Sequence, residues 1–416
     1  MSWSDNPLDT PQQRAHELEA LRLHNLPELA AERERLGRYW QEQIKPSPAM
    51  QSCFDAAFEE VMFGAVIWAL NQDPKQPKVI TISRLPHSVQ GQAVPGSRWG
   101  IDNPDSVYRV IPVNVEERYV LRGQVAPRRM IENYFTLWNR EMGTEAVLSG
   151  SDLVVDADGH FEISVNRDAS GLANHIQLGP DAHEFYIRDV IADWAQDRAN
   201  RLSVERLGGQ SQPPATEQET LEQVKTYMQR WVDNTIRWNN QAMLKPANAF
   251  SFTIDRDSDG ALRSQIYIMG RFELPHPEAA LVLTVNLGSA RYFIAPITNV
   301  WGTSNEIRTR QSCLNKTQSV ANPDGTYTFV VSQSDPGFVN WLDPCDMPEG
   351  LLTLRWAEFA DPAQRQNVQV TCEMTTLDAL AASGLPEELF IQPETRREQL
   401  AARAESYDWR LKENAL

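Results

Sequence analysis

Polar side chains alternate with large aromatic side chains in the stretch between positions 299 and 356. The side chains that could form a ligand site there are Asn299, Trp301, Asn315, Asn340 and Trp341. A buried amide must find hydrogen-bond partners, and clefts for apolar ligands combine aromatic walls with a few orienting polar groups. The stretch therefore predicts a cleft with tryptophan walls and orienting asparagines. The alternative is core tryptophans beside asparagines that satisfy backbone groups in loops.

A second polar group surrounds Pro104 and precedes a strand-like run. Asp102, Asn103 and Asp105 could cap the backbone of a turn or hold a polar ligand at the start of that strand. In an enzyme, Asp102 or Asp105 would be the general base, and Tyr108 or Arg355 would polarise the ligand. The alternative for Arg355 is a structural role, because an arginine inside a sandwich must be paired, and Asp102, Asp105 and Asp193 are possible partners.

Motifs for metals and nucleotide cofactors are missing from the sequence. The nucleophile elbow Gly-x-Ser-x-Gly, phosphate-loop, dinucleotide and HExxH patterns do not occur, and the seven histidines are scattered. Asp255, Asp257 and Asp259 match the opening of a calcium loop, but its twelfth position is Ile266 instead of glutamate. A hairpin turn at this place is the better prediction. We expect neither a metal nor a cofactor.

The net charge of 39 minus 56, or −17, argues against nucleic acid and anionic membranes as partners. The four cysteines never form a CxxC pair, which favours free thiols. The first residues lack the basic and apolar regions of a secretory signal. The longest apolar run, residues 61–70, is about half a membrane span. We therefore expect a cytoplasmic protein.

Helical patterns occupy three parts of the chain. Residues 11–45 and 49–70 begin it, and the second of these segments is apolar enough for a buried helix. Residues 217–243 have an amphipathic period, preceded by the Thr216 and Glu219 spacing of a capping box. The tail from about 378 returns to helix, where Pro393 occupies a favourable first position.

Between the helical segments the pattern alternates as in strands, with turn residues at short intervals. Hairpins are predicted at LVVDADGHFEISV and at NPDGTYTFVV, and strands in LVLTVNLGSARYFIAPI. The fold class is therefore α+β and predominantly antiparallel, with two β-sandwich-like domains. The predicted boundaries are 1–75 for the N-terminal helices, 76–209 for the first β domain, 210–247 for a linker and helix, 248–377 for the second β domain and 378–416 for the tail.

Several of these motifs also resemble a known family. NVWG, the segment ending in Cys313-Leu314-Asn315, NPDG, DPGFVNWLD and GLLTLRW resemble proteins carrying domain of unknown function 1214. DNPDSVYRV, RYVLRG and IRDVIADWAQDRANRLSVERL are similar to domain of unknown function 1254, which precedes it in related proteins. The resemblance covers most of residues 50–358. The chain departs from the family at Cys313, where serine or threonine is usual, and at Cys345-Asp346, where a Gly-His pair is expected.

The resemblance implies a β-rich two-domain fold, a bacterial cytoplasmic setting and a link to catabolism of lipid-, steroid- or aromatic-like compounds. Combined with the residues above, our first hypothesis is an enzyme of lyase, hydratase or hydrolase type that acts on a hydrophobic small molecule. The second is a binding or carrier protein for such a molecule. The third is a structural module whose acidic terminal helices mediate assembly into a homo-oligomer.

Overall fold

The computed structural model describes residues 5–209, 213–250, 252–253 and 265–415. Within these ranges, two mostly antiparallel β-sandwiches are accompanied by helices before, between and after them. The predicted α+β class and the two β-rich domains are thereby confirmed. The hairpin predicted around residues 255–260 lies outside the described residues.

Prolines mark the beginnings of four helices, because a proline at the first helical position forfeits no intrahelical hydrogen bond. The helices of the described residues are α1 (Pro11–His24), α2 (Pro27–Ile44), α3 (Pro48–Ser52), α4 (Phe54–Ala69), α5 (Glu217–Met243), α6 (Leu377–Ala381) and α7 (Pro393–Asp408). α5 begins and ends as predicted, with both hydrogen bonds of the capping box present at Thr216 and Glu219. The segment 49–70, expected as one helix, is divided at Cys53 into α3 and α4.

The first sandwich pairs a five-stranded sheet with a four-stranded one. Its strands are β1 (Ile80–Ile82), β2 (His87–Val89), β3 (Gln92–Val94), β4 (Ser106–Pro112), β5 (Tyr119–Gln124), β6 (Glu132–Trp138), β7 (Thr144–Ser149), β8 (His160–Asn166), β9 (His175–Gln177), β10 (Glu184–Val190) and β11 (Arg201–Arg206). The sheet orders are β1-β4-β10-β6-β7 and β11-β5-β8-β9, while β2 and β3 form a separate ribbon. Every pair is antiparallel except β8 with β9.

The second sandwich repeats this arrangement of five strands against four. Its strands are β12 (Phe252–Thr253), β13 (Ile266–Glu273), β14 (Ala279–Asn286), β15 (Ala290–Thr298), β16 (Cys313–Asn315), β17 (Tyr327–Ser332), β18 (Trp341–Leu342), β19 (Glu349–Phe359) and β20 (Gln369–Thr376). The sheet orders are β12-β13-β19-β15-β16 and β18-β17-β14-β20. The pair β17 with β18 is the parallel exception here.

Two strand predictions differ from the structure in an instructive way. The run LVLTVNLGSARYFIAPI holds β14 and β15, but these strands belong to different sheets, so the turn between them crosses the sandwich. In LVVDADGHFEISV the turn exists and β8 follows it, whereas residues 153–155 form no strand and β8 pairs with β5 instead. Alternation shows which residues are buried, but it does not identify the neighbouring strand.

The five-stranded sheets are covered on both faces, whereas the four-stranded sheet of the first sandwich is covered on one. Every residue of β4, β6 and β10 is buried, whereas β8 alternates between buried and accessible positions as a half-solvated strand does. One face of each five-stranded sheet packs on its own four-stranded partner. We call the opposite face the outer face. The two outer faces meet each other and the helices.

Buried polar contacts join the two sandwiches. Both carboxylate oxygens of Asp102 accept hydrogen bonds from Ser304, from its N–H at 3.0 Å and its hydroxyl at 2.9 Å. Arg98 pairs with Glu60 of α4 and donates to the Ser304 carbonyl at 2.8 Å. Because the partners lie about 200 positions apart in sequence, these contacts fix the relative orientation of the two domains.

The residues after α7 return to the first domain. Arg410 donates to the Pro104 carbonyl at 2.8 Å, and Trp409 donates to the Trp194 carbonyl at 3.1 Å. Asn414 then donates to the backbone carbonyl of Asn6 at 2.9 Å. The two ends of the described chain are therefore neighbours in space. No described helix is long and apolar enough to cross a lipid bilayer.

Candidate functional site

A cavity of about 110 Å³ lies between the outer faces of the two five-stranded sheets. The loop before β4, the strands β4, β6 and β10 and the strands β13 and β19 surround it, and α5 closes one side. Its aromatic lining consists of Trp99, Tyr108, Trp138, Tyr186, Trp238 and Tyr267. Its main polar lining consists of Asp102, Arg188, Gln241, Gln265, Thr353 and Arg355. The cavity therefore combines apolar walls with charged groups of both signs.

Strand register places a tyrosine beside an arginine on each sheet. Tyr108 of β4 lies opposite Arg188 of β10, and Tyr267 of β13 lies opposite Arg355 of β19. Because side chains alternate along a strand, each pair points to the same face of its sheet. For both pairs this is the outer face, so tyrosine and arginine side chains from two domains converge on one cavity.

Stacked rings give the cavity a rigid aromatic wall. Trp138 and Tyr186 stack with ring centroids 4.0 Å apart, and the guanidinium of Arg188 lies 4.5 Å above the Tyr186 ring. Trp99 stacks at 3.9 Å on Trp231 of α5. Contacts of these kinds stabilise a structure beyond the burial of area alone, so this wall is preorganised.

The loop that contributes Asp102 has an unusual backbone. Gly100 and Ile101 both adopt positive φ angles, +75° and +57°. A β-branched residue in the left-handed region is a conformational outlier, and such residues concentrate at functional sites. The loop is held by the Ile101 N–H, which donates to the Gly302 carbonyl at 2.9 Å, and by Arg355, which donates to the Ile101 carbonyl.

Asp102, predicted as a general base, lies on this loop, and Tyr108, predicted to polarise the ligand, lies on the next strand, β4. Burial raises the pKa of Asp102 above its usual value, although Arg98 and the Ser304 hydrogen bonds oppose the shift. The Tyr108 hydroxyl accepts a 2.9 Å hydrogen bond from the Asn103 N–H. Because that oxygen is an acceptor there, its own proton is available to another partner.

Asp105, predicted as an alternative base, is fully buried and does not line the cavity. Its carboxylate accepts hydrogen bonds from Trp194 at 2.7 Å, Asn315 at 2.8 Å and Tyr292 at 3.0 Å. Burial is the main cause that raises its pKa to about 6, while the three donors act in the opposite direction. Its position is that of a link between the sandwiches.

The predicted tryptophan and asparagine cleft is not assembled as one site. Trp301 packs against Phe54, with ring centroids 4.7 Å apart, and donates to the Met50 carbonyl at 2.8 Å. Asn299 accepts from the Trp301 N–H at 3.0 Å within the same turn. Neither residue lines the cavity, because each satisfies its neighbours in the turn or the helical core.

The other three predicted ligand residues also lie away from the cavity. Asn315 joins Asp105 to the Ala192 carbonyl. Asn340 caps backbone groups, accepting from the Val320 N–H at 2.9 Å. Trp341 donates to the Ser332 carbonyl at 3.0 Å. These asparagines therefore satisfy hydrogen-bonding groups of the protein itself, which was the alternative to a ligand site.

Sequence reasoning missed most of the cavity wall. Tyr186 and Arg188 alternate on β10, Tyr267 and Met269 on β13, and Thr353 precedes Arg355 by two residues on β19. The sequence did contain a signal for these lining residues: polar or aromatic residues occupy every second position of otherwise apolar strands. It identifies a special face, but it does not show that the two faces meet.

Arg355 does not form the ion pair with an aspartate that its structural role would require. Its guanidinium donates to the Ile101 carbonyl, and no carboxylate of the described residues lies within ion-pair distance. Behind the cavity wall, Gln265 donates to Glu132. Burial first and the nearby Glu358 second raise the pKa of Glu132 to about 8. The described residues contain no cluster of three or more histidine, cysteine or carboxylate side chains suited to a metal ion.

Comparison with solved structures supports the fold. A crystal structure of an uncharacterised protein from Burkholderia cenocepacia superposes with a TM-score of 0.72 and 21% identity, over 86% of this chain and 99% of that one. The VPA0106 protein from Vibrio parahaemolyticus matches with a TM-score of 0.43 and 12% identity, over 66% of this chain and 90% of that one. No protein-family model and no curated protein matches the chain. The resemblance to domains of unknown function 1214 and 1254 therefore stays a prediction.

Proposed function

We propose that the protein is an enzyme that binds a small, largely apolar molecule between its two sandwiches and moves a proton on it. The observation that carries this proposal is the convergence of Asp102, Tyr108 and Arg355 on one cavity walled by indole rings. A buried site with perturbed carboxyl groups is typical of acid–base catalysis. The reaction class is lyase, hydratase or hydrolase.

The size of the cavity restricts the ligand. An engineered cavity of about 150 Å³ in another protein holds one benzene molecule, and the present cavity measures about 110 Å³. A single ring is therefore the largest group that we propose for it, and the ring requires a small displacement of the half-buried Trp238 at the cavity edge. A steroid or a fused terpenoid would require the aromatic wall to move, so we favour aromatic-like substrates over those larger classes.

In this mechanism each of the three residues has a distinct role. Asp102, made more basic by burial, accepts a proton from the substrate carbon or from an attacking water. Arg355 stabilises the negative charge that develops. Tyr108, whose oxygen accepts from Asn103, donates its proton to the leaving or carbonyl oxygen. The proton taken by Asp102 returns to Tyr108 through solvent or product at the end of the cycle.

A second candidate function is binding without chemistry, as expected of a carrier. Its support is that both Asp102 oxygens are already occupied by Ser304. A carboxylate held in this way can serve to fix the loop instead of taking a proton. We place either function in the cytoplasm, because the four cysteines are free thiols, as in reducing compartments.

The test begins with native mass spectrometry of the protein purified from its own host, followed by identification of any released molecule. That molecule, or a panel of single-ring compounds ranked by thermal shift, is then incubated with wild type, Asp102→Asn and Tyr108→Phe. The matched control is Tyr327→Phe, on the second four-stranded sheet.

An enzyme forms product with wild type and control and loses at least about 100-fold in rate in either site variant. A ligand that binds all four proteins and is never converted identifies a carrier. Turnover by Tyr108→Phe at the wild-type rate would show the acid role to be wrong.

A further inference from the structure

Buried hydrogen-bond donors without acceptors line the cavity. Thr353 and Arg355 are 2% and 8% exposed, and they project from the same face of β19. The Thr353 hydroxyl and the Arg355 Nε have no hydrogen-bond partner among the described residues, and the indole N–H of Trp138 across the cavity has none either. Leaving a buried donor unsatisfied costs about 1–3 kcal/mol, so three at one cavity need an explanation.

The charge of the lining points in the same direction as the donors. Arg355 is a buried cation of this lining, and no carboxylate of the described residues lies within ion-pair distance of it. A ligand with one negative charge and several acceptor atoms would balance both the charge and the donors.

We infer that the ligand is a single-ring carboxylate, whose carboxylate accepts hydrogen bonds from Arg355 Nε and the Thr353 hydroxyl. This inference rests on the proposed function and names its substrate class. The ring lies against the indoles of Trp99, Trp138 and Trp238. The planar carboxylate matches the edge of a guanidinium, and its single negative charge matches the single positive charge of Arg355.

Solvent is the competing explanation for the unsatisfied donors. Ordered water bonds to many buried polar groups, and it would satisfy Thr353 and Arg355 without selecting a charged ligand. The two explanations differ in what the cavity prefers: a carboxylate site distinguishes an acid from its amide, whereas a hydrated apolar cavity does not.

The experiment measures binding by isothermal titration calorimetry with benzoate, phenylacetate and cyclohexanecarboxylate, each beside its uncharged amide. The proteins are wild type, Arg355→Met, Arg355→Lys, Thr353→Val and, as a matched control, Arg291→Gln. Arg291 is exposed on β15 of the same sheet. Circular dichroism and thermal melts establish that each variant is folded.

We expect wild type and the Arg291 variant to bind at least one acid about 10-fold or more tighter than its amide. A hydrogen bond to a charged group contributes about 1.5–3 kcal/mol, which corresponds to about 10- to 100-fold in affinity. Arg355→Met should lose that factor for the acid and keep the amide affinity. Arg355→Lys should retain part of it, and Thr353→Val should lose about 3- to 10-fold.

Equal affinity for acid and amide in wild type, or unchanged acid binding in Arg355→Met, overturns the carboxylate inference while the cavity remains a binding site. Failure of every acid and every amide to bind overturns the proposed function as well. If Arg355→Met does not fold, the nearly isosteric Thr353→Val and the acid-to-amide ratio of wild type decide the question.

Discussion

Asn315 of the second sandwich donates a 2.8 Å hydrogen bond to the carboxylate of Asp105 in the first. The same carboxylate accepts from Trp194 and Tyr292, so three neutral donors surround one fully buried acid. No lysine or arginine is hydrogen-bonded to it among the described residues. The balance between its desolvation and its hydrogen bonds therefore makes the junction of the domains sensitive to pH.

Replacing Asp105 by asparagine should remove a pH-dependent part of the stability. Burial raises the pKa of Asp105 from 3.8 to about 6, so its favourable contribution is complete below pH 3.8 and is lost as the pH rises through 6. We expect the free energy of unfolding of wild type, relative to Asp105→Asn, to fall by about 2 kcal/mol between pH 4 and 7. Urea unfolding at several pH values measures this difference. Parallel pH profiles would contradict the assignment.

Glu132→Gln should become relatively more stable as the pH rises. The pKa of Glu132 is raised from 4.5 to about 8, so the wild-type contribution is present below pH 4.5 and disappears by about pH 8. The amide resembles the protonated acid that Gln265 contacts. We expect the free energy of unfolding of Glu132→Gln, relative to wild type, to rise by about 2 kcal/mol between pH 5 and 7. Urea unfolding measures this difference.

The control for Glu132 is its neighbour, Glu358. Because the Glu358 charge contributes to the raised pKa of Glu132, Glu358→Gln should shift the wild-type profile to lower pH. A Glu132→Gln protein that is less stable by the same amount at every pH would mean that the acid does not titrate in this range.

Replacing a tryptophan outside the cavity should mainly lower stability, whereas replacing one that lines the cavity should mainly weaken binding. Trp301→Ala removes a fully buried ring and should lower the free energy of unfolding by about 3–5 kcal/mol. Its folded fraction should bind the single-ring probes like wild type. Trp238→Ala, at the half-buried cavity edge, should weaken probe binding with a smaller loss of stability. Calorimetry and urea unfolding measure the two quantities. Weaker probe binding in Trp301→Ala, with unchanged binding in Trp238→Ala, would instead favour the predicted cleft at Asn299 and Trp301.

Gly100→Ala should disturb the cavity through its backbone and its contact. At φ +75° an added Cβ would lie 3.2 Å from the Trp238 ring. A left-handed alanine costs about 1–2 kcal/mol, and the contact should displace Trp238. Gly91→Ala is the control, since its φ is +78° with open space around it. Both variants should melt earlier than wild type, but probe affinity should fall only in Gly100→Ala.

Signals confined to a few neighbouring residues were readable from the sequence. The spacing of Thr216 and Glu219 predicted the beginning of α5, because both capping hydrogen bonds form within four residues. Pro393 likewise begins α7. The frequent turn residues, together with strands that do not alternate with helices, predicted the antiparallel class, because short turns join antiparallel strands.

The candidate site was only partly readable, for a physical reason. Asp102, Tyr108 and Arg355 were selected by residue type, and all three line the cavity. They are close in space only because two sheets pack together whose sequences are over 200 residues apart. Asn340 was selected by the same criteria, but its partner is the backbone of Val320. An amide that satisfies a loop and one that orients a ligand have the same sequence signature.

The cavity cannot form until most of the chain has been synthesised. Its lining begins at Trp99 and is completed by Arg355, 256 residues later (355 minus 99), and ribosomes need roughly 10–50 s for that length. During this interval the outer face of the first sandwich, with Trp138 and Tyr186, has no second sheet to cover it. We expect nascent chains arrested before β13 to bind a hydrophobic dye or a chaperone, and chains extended beyond α7 to release it.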